Sequence, residues 1–253
     1  MKMRAAIAVS LVLLFTPAGN AASKKKPLAL KVSVPAGGLP LVTLTASDVP
    51  LGEVAEHLAR TLGTRVDVSA GARELRVTTK LDRQPLDLAL RELAPRAYLD
   101  GVLAGGTGNP MILAIHLHAA GDAEPPLTEL RRTTSDALIV VGNTEDPAEN
   151  PLAGQLEVTF RNERLHVFAK KQPLSIVGYK IAEALGIPFE LSGDPREVVD
   201  LAVRDASLEQ AMRALPSSVR LYHRKDLATL EVTPVRVVVQ APAPPPDPIP
   251  PKE

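Results

Sequence analysis

Two histidines, His116 and His118, stand two residues apart in the segment MILAIHLH, and they come closer to a set of metal ligands than any other residues of this chain. On a strand that spacing turns both imidazoles to one side, opposite Ile115 and Leu117. Two imidazoles can share a metal, but a stable site needs a third or fourth ligand, and the sequence nominates none. The expectation is therefore no metal, no cofactor and no catalytic residue. His116 and His118 are the candidates kept in view, and a solvated strand face is the competing reading. His57 sits among Glu53, Glu56 and Arg60, off an apolar stripe, and reads as surface, while His166 and His223 fall in strand-like segments without a motif. Nucleophilic and phosphate chemistry lack their signatures: there is no G-x-S-x-G, H-E-x-x-H, P-loop or dinucleotide fingerprint. GGTGNP, Gly105 to Pro110, lacks the flanking strand and helix of a phosphate cradle and reads as a turn. With no cysteine, disulfides, thiolate zinc sites and a lipid-modified cysteine are all excluded.

The elements that would position these residues recur. Setting Pro50 over Pro173 aligns Val42 to Glu74 with a second stretch 123 residues on, without a gap, and Ala46, Pro50, Leu51, Val54, Ala59, Leu62, Gly63, Ser69, Arg73 and Glu74 meet identical residues. In the first copy Leu51, Val54, Ala55, Leu58, Ala59 and Leu62 form one helical stripe; Leu174, Val177, Gly178, Ile181, Ala182 and Leu185 repeat it. Pro50 and Pro173 suit the first helical turn, and Gly63 and Gly186 suit a left-handed C-terminal cap. Segments of period two surround the helix: VTLTA and LHVFA before it, RVDVS and PFELS after it, then Leu75, Val77, Thr79 and Leu81, matched by Val199, Leu201 and Val203. A second helix is marked by Leu86, Ala89, Leu90 and Leu93, and again by Leu208, Ala211, Met212 and Leu215, where Ser207 and Gln210 can form a capping box. Met111, Leu113, Ile115 and Leu117 then alternate along a strand. The order is strand, helix, strand, strand, helix, strand, met twice. The expected fold class is α+β, as two tandem small two-layer modules at 42–119 and 156–239. Residues 120–155 read as a linker with one central strand, Ala137 to Val141, and 240–253 as a proline-rich tail that favours extended polyproline II conformation.

Composition bounds the address. Of 253 residues 45% are hydrophobic but only 3% aromatic, so the cores must be built of Leu, Val, Ile and Ala. Lys plus Arg and Asp plus Glu both number 29, and this zero balance removes the electrostatic case for a nucleic-acid partner. Lys2 and Arg4, the apolar run Ala5 to Phe15 and the small residues GNAA lay out a secretory signal peptide over 1–22, with cleavage after Ala21 or Ala22. The apolar run is shorter than the roughly 20 residues a spanning helix needs, so no stable membrane span is expected once the signal is removed. SKKK, Ser23 to Lys26, reads as a solvated mature end. The periplasm is the expected compartment, with association to the outer membrane as a further possibility.

The stretch VTLTASDVPLGEVAEHLARTLGTRVDVS, followed by LRVTTKLDRQPLDLALREL, resembles the secretin and TonB N-terminal short domain, the module shared by secretins and TonB-dependent signalling receptors. The resemblance rests on Asp48, Val49, Pro50, Leu51, Gly63, Pro85, Leu86, Ala89 and Leu90; the second copy departs from it with Lys170 and Lys171 before its proline and Ser207 in place of the second proline. Thr134 to Asp146 also resembles one strand of secretin ring modules. No secretin pore domain or receptor barrel is recognisable, so the modules are expected to stand alone, as in an accessory protein. The resemblance implies a periplasmic, non-enzymatic protein-interaction module. Its partners would be envelope proteins: a secretin, a TonB-system component or an assembly subunit. The alternatives are a cell-wall-binding envelope protein and a metal-binding envelope enzyme using His116 and His118.

Overall fold

A computed structural model of the chain describes residues 28–33, 40–106, 110–127, 130–131, 138–140 (backbone only), 156–193, 195 and 197–241. The stretch 1–22 expected to be a signal peptide, with Ala21 and Ala22, the SKKK stretch, most of the 120–155 segment and nearly all of the proline-rich tail lie outside them. The protein is mixed α+β, mostly sheet, with four helices among the described residues. The first half runs β1 (Leu28–Ser33), β2 (Leu41–Pro50), α1 (Leu51–Leu62), β3 (Arg65–Val68), β4 (Arg76–Pro85), α2 (Leu86–Leu93), β5 (Arg96–Ala104) and β6 (Met111–His118). A short β7 (Leu138–Val140) follows. The second half runs β8 (Leu156–Arg161), β9 (Arg164–Pro173), α3 (Leu174–Leu185), β10 (Phe189–Ser192), β11 (Val198–Ala206), α4 (Leu208–Ala214), β12 (Val219–Asp226) and β13 (Val232–Gln240).

The local signals act as their chemistry requires. Gly63 and Gly186 close α1 and α3 at φ 63° and 66°, a conformation that costs glycine nothing. Pro50 and Pro173 are N-caps with extended ψ rather than first-turn residues, ending a strand and starting a helix at one position. Ser207 and Gln210 form the reciprocal capping box at the start of α4. Two differences concern extent: β1, ahead of residue 42, pairs along β2 from Leu28↔Ala46 to Ser33↔Leu41, and the alternation expected from Met111 is broken by a bulge opposite Asp100 and Gly101. Ile112, Ile115 and Leu117 therefore face the core, and Met111 is exposed.

Each three-stranded sheet, β1-β2-β4 and β11-β9-β8, is irregular at matching places. Asp48, Arg83, Lys171 and Asp205 all have positive φ, between 47° and 53°, beside register shifts of their strands. The amide of Asp48 donates to Thr78 Oγ1 and that of Lys171 to Asp200 Oδ1, both at 2.9 Å, so side chains of the neighbouring strands take the hydrogen bonds the bulges free. The helices do not cover one side of a single small sheet, as a two-layer module would have it. α1 packs on β1 and β2 as well as on β3, and α3 on β8 and β9 as well as on β10 and β13, so each helical layer lies between two sheets. Those sheets fill two apolar clusters, one around Leu44, Leu58, Leu86 and Ile115, the other around Leu165, Ile181, Met212 and Val237.

The third sheet joins the halves. Its order is β3-β6-β5-β12-β13-β10-β7, and its middle pairing is β5 with β12, antiparallel from Arg220↔Ala104 to Asp226↔Tyr98. Seven strands thus form one surface, with the helices on one face.

Candidate functional site

The other face of this sheet carries charge where a strand would ordinarily carry valine. Asp100 on β5 and Arg224 on β12 are direct cross-strand partners and are 4% and 1% exposed, which commits each to a protein partner. Arg224 donates from Nε to Asp100 Oδ1 at 2.6 Å and from Nη2 to Oδ2 at 2.7 Å, the planar fork-to-fork geometry that suits guanidinium and carboxylate. Its remaining hydrogens reach the chain after β6: Nη1 donates to the carbonyl of Pro125, Nη2 to that of Pro126 at 3.5 Å, and Glu124 Oε1 lies 3.5 Å from Nη1. Burial acts to raise the Asp100 pKa, but hydrogen bonds from Arg224 and His116 outweigh it and hold the carboxyl below its usual range. Burial likewise opposes the Arg224 charge, and Asp100 and Glu124 more than restore it, so its pKa is raised.

His116 and His118 do share one side of β6, but that side is not a solvated face. His116 is buried, with Nε2 2.9 Å from Asp100 Oδ2 and Nδ1 3.4 Å from Asp67 Oδ2 on β3. Both ring nitrogens are thereby turned to carboxylates and away from the geometry of a metal pair. His118 stands edge-on to Tyr98, ring centroids 5.8 Å apart, and its buried Nδ1 has no hydrogen-bond partner among the described residues. Burial lowers its pKa, with a backbone hydrogen bond at Ala123 working the other way. The guanidinium groups of Arg96 and Arg224 lie 5.3 and 5.8 Å from the centre of the Tyr98 ring, and burial raises the pKa of its phenol. Among the described residues, no group of three or more His, Cys, Asp or Glu side chains is placed to hold a metal ion.

The chain from Ala119 to Pro126 forms a strap over these residues. Asp122 anchors it, accepting from Ser69 Oγ and from the Ala119 amide at 2.8 Å, while Arg96 Nη1 donates to the Asp122 carbonyl at 3.0 Å. The hydrogen bond from Ser69, with that of Ala119, lowers the Asp122 pKa. Between strap and sheet lies a cleft of about 470 Å³ lined by Arg65, Asp67, His116, His118, Glu124 and Pro125 among others. Farther along the sheet a second ion pair repeats the device: Arg236 Nη1 is 2.5 Å from Glu190 Oε2, and its guanidinium lies 3.9 Å from the centre of the Tyr222 ring. Glu190 occupies on β10 the place Asp67 occupies on β3, 123 residues earlier.

The remaining histidines part company. His57 is half-buried on α1, 3.3 Å from Arg60 Nη2; His166 is half-buried on β9; His223 is buried on the helix-covered face, where desolvation lowers its pKa. Of GGTGNP, residues 107–109 lie outside the described residues; a Cβ at Gly105 would stand 1.8 Å from the Pro216 carbonyl oxygen, so that glycine makes room for backbone rather than for phosphate. Asp100, Arg224, Glu190 and Arg236 were missed from sequence. Their signal is a charge set between apolar residues of a strand, as in RAYLDGVLA and VRLYHRKD, but naming the partner requires the strand pairing.

Compared with protein-family models, with curated proteins and with solved structures, the chain has no significant match. Among the described residues no helix is long and apolar enough to cross a membrane.

Proposed function

We propose that the chain is a periplasmic, non-enzymatic protein-interaction protein, built from two tandem copies of a module like the secretin and TonB N-terminal short domain and accessory to a secretin or another outer-membrane assembly. The observation that carries this reading is the state of the charges in the candidate site. Asp100 spends both oxygens on Arg224 and His116, and Arg224 spends its donors on Asp100 and the strap. Groups bound to one another in this way clamp β5 to β12 and the strap to both, which is the work of a structural brace. What the fold does offer outward is sheet edge. Among the described residues β3 and β4 in the first half and β11 in the second end their sheets, and an unpaired strand backbone is a template for β-augmentation by a partner.

The test is site-specific photo-crosslinking in the native host from Thr78 on β4 and Arg204 on β11, both exposed edge positions. Recovery of a secretin, a TonB-system component or an assembly subunit is the expected result. Crosslinks that reach only peptidoglycan would overturn the proposal in favour of a cell-wall binder.

A further inference from the structure

A second cleft, of about 230 Å³, opens on the helix-covered face where the halves meet. Leu103 and Pro110 line it from the first half, and Phe160, Leu208 and Val232 from the second. That volume lies below the range usual for cofactors and drug-sized ligands, roughly 300–1,000 Å³, and matches one or two protein side chains. Its polar groups are Glu163, Ser207, Glu209, His223 and Lys225. Most are already engaged: Lys225 Nζ lies 3.1 Å from Asp87 Oδ2, Glu209 Oε1 lies 2.5 Å from Arg213 Nη2, and Ser207 caps α4. Glu163 is not, having no hydrogen-bond or ion-pair partner among the described residues. It sits in the two-residue turn between β8 and β9, where Asn162 and Glu163 both have positive φ, 51° and 60°, in a position that favours glycine. His223 forms part of the floor, packed over Gly101, and its buried Nδ1 has no hydrogen-bond partner among the described residues. The cleft therefore combines an apolar wall, an unsatisfied polar atom at the floor and one uncompensated negative charge at the mouth.

We propose that this cleft is the anchor pocket for a protein partner, taking a hydrophobic side chain against Leu103, Phe160, Leu208 and Val232 and an adjacent basic side chain at Glu163. The inference rests on the protein-interaction reading above and names the chemistry of the segment recognised. Anchor pockets of this size, walled by apolar groups and edged by charge, are where interfaces concentrate their binding energy.

The probe is the blocked dipeptide acetyl-Leu-Arg-amide, titrated into the isotope-labelled mature chain with acetyl-Leu-Glu-amide as its counterpart. The expected result is saturable shifts of the Leu208, His223 and Val232 amide resonances with the basic dipeptide alone. Binding should weaken about threefold in Glu163→Gln, the scale of one exposed ion pair. Glu163 is exposed in its turn, so this variant should unfold with the wild type, which a thermal melt checks. Equal binding of the acidic dipeptide, absence of shifts at these residues, or indifference to Glu163→Gln would overturn the proposal. Envelope proteins crosslinked at the sheet edges without dipeptide binding would remove the anchor pocket and keep the interaction reading. Dipeptide binding with only peptidoglycan crosslinked would keep the pocket's chemistry and count against the interaction reading.

Discussion

Replacing Asp100 by Asn keeps the shape of the side chain and removes its charge, leaving the 1%-exposed Arg224 guanidinium with the more distant, half-exposed Glu124 carboxylate, 3.5 Å from Nη1, as its counterion. Breaking a buried pair by neutralising one partner costs about 3–5 kcal/mol, because the surviving charge stays desolvated. The amide oxygen of Asn can still accept one hydrogen bond, which places the expected loss near the lower bound, about 3 kcal/mol. Against a total stability of about 5–15 kcal/mol, and at roughly 2–4 °C per kcal/mol for a chain of this size, the melting temperature should fall by about 6–12 °C. Removing the pair whole, as Asp100→Leu with Arg224→Met, should cost far less, within about 2 kcal/mol of wild type, since the desolvation of both charges is relieved. Urea unfolding followed by circular dichroism measures both variants. The wild-type curve should also carry a pH signature. The folded pKa of Asp100 is depressed, so its contribution is complete above the unfolded value near 4 and is lost as the pH falls through the folded value. Asp100→Asn should lack that acid limb. A single variant within 1 kcal/mol of wild type, or a double variant as unstable as the single, would refute the account of a buried charge clamp.

Three further outcomes are expected. His223 is buried with a lowered pKa, so the unfolded chain binds its proton first and stability should decline as the pH drops below about 6.5, by up to about 1.4 kcal/mol per pH unit for this group; His223→Asn should flatten that decline in pH-dependent melts. Gly178→Ala should destabilise by about 1–2 kcal/mol in urea unfolding despite alanine's better helix propensity, because the new Cβ would stand 2.5 Å from Val239 Cγ2. Ser207→Ala removes the capping box of α4 and should cost about 1 kcal/mol by the same assay.

The helices were legible because their signals are local. The stripe from Leu51 to Leu62, the glycines that close α1 and α3, and the pairing of Ser207 with Gln210 depend on residues within a few positions of one another, and each acts in the structure as its spacing requires. The bulges were harder to read. Asp48 and Lys171 have positive φ at equivalent positions, yet one is acidic and the other basic, so side-chain chemistry gives no hint of the backbone they share. The site was legible least of all. His116 and His118 do face one way, as alternation demands, but whether water or a strap covers that side depends on where residues 119–126 run.

The amino-acid order by itself determined the repeated helix and strand pattern, the capped helix ends, the lack of any disulfide and the apolar composition of both clusters, since all of these follow from residue type and short-range period. Tertiary structure alone decided that β5 pairs with β12, that Arg224 meets Asp100 across 124 residues, and that the helices lie between sheets. The physical reason is that a strand's period of two says which face is apolar but not which distant edge will satisfy its hydrogen bonds. Only the closing of that edge turns an aspartate and an arginine, each costly to bury alone, into a bidentate pair.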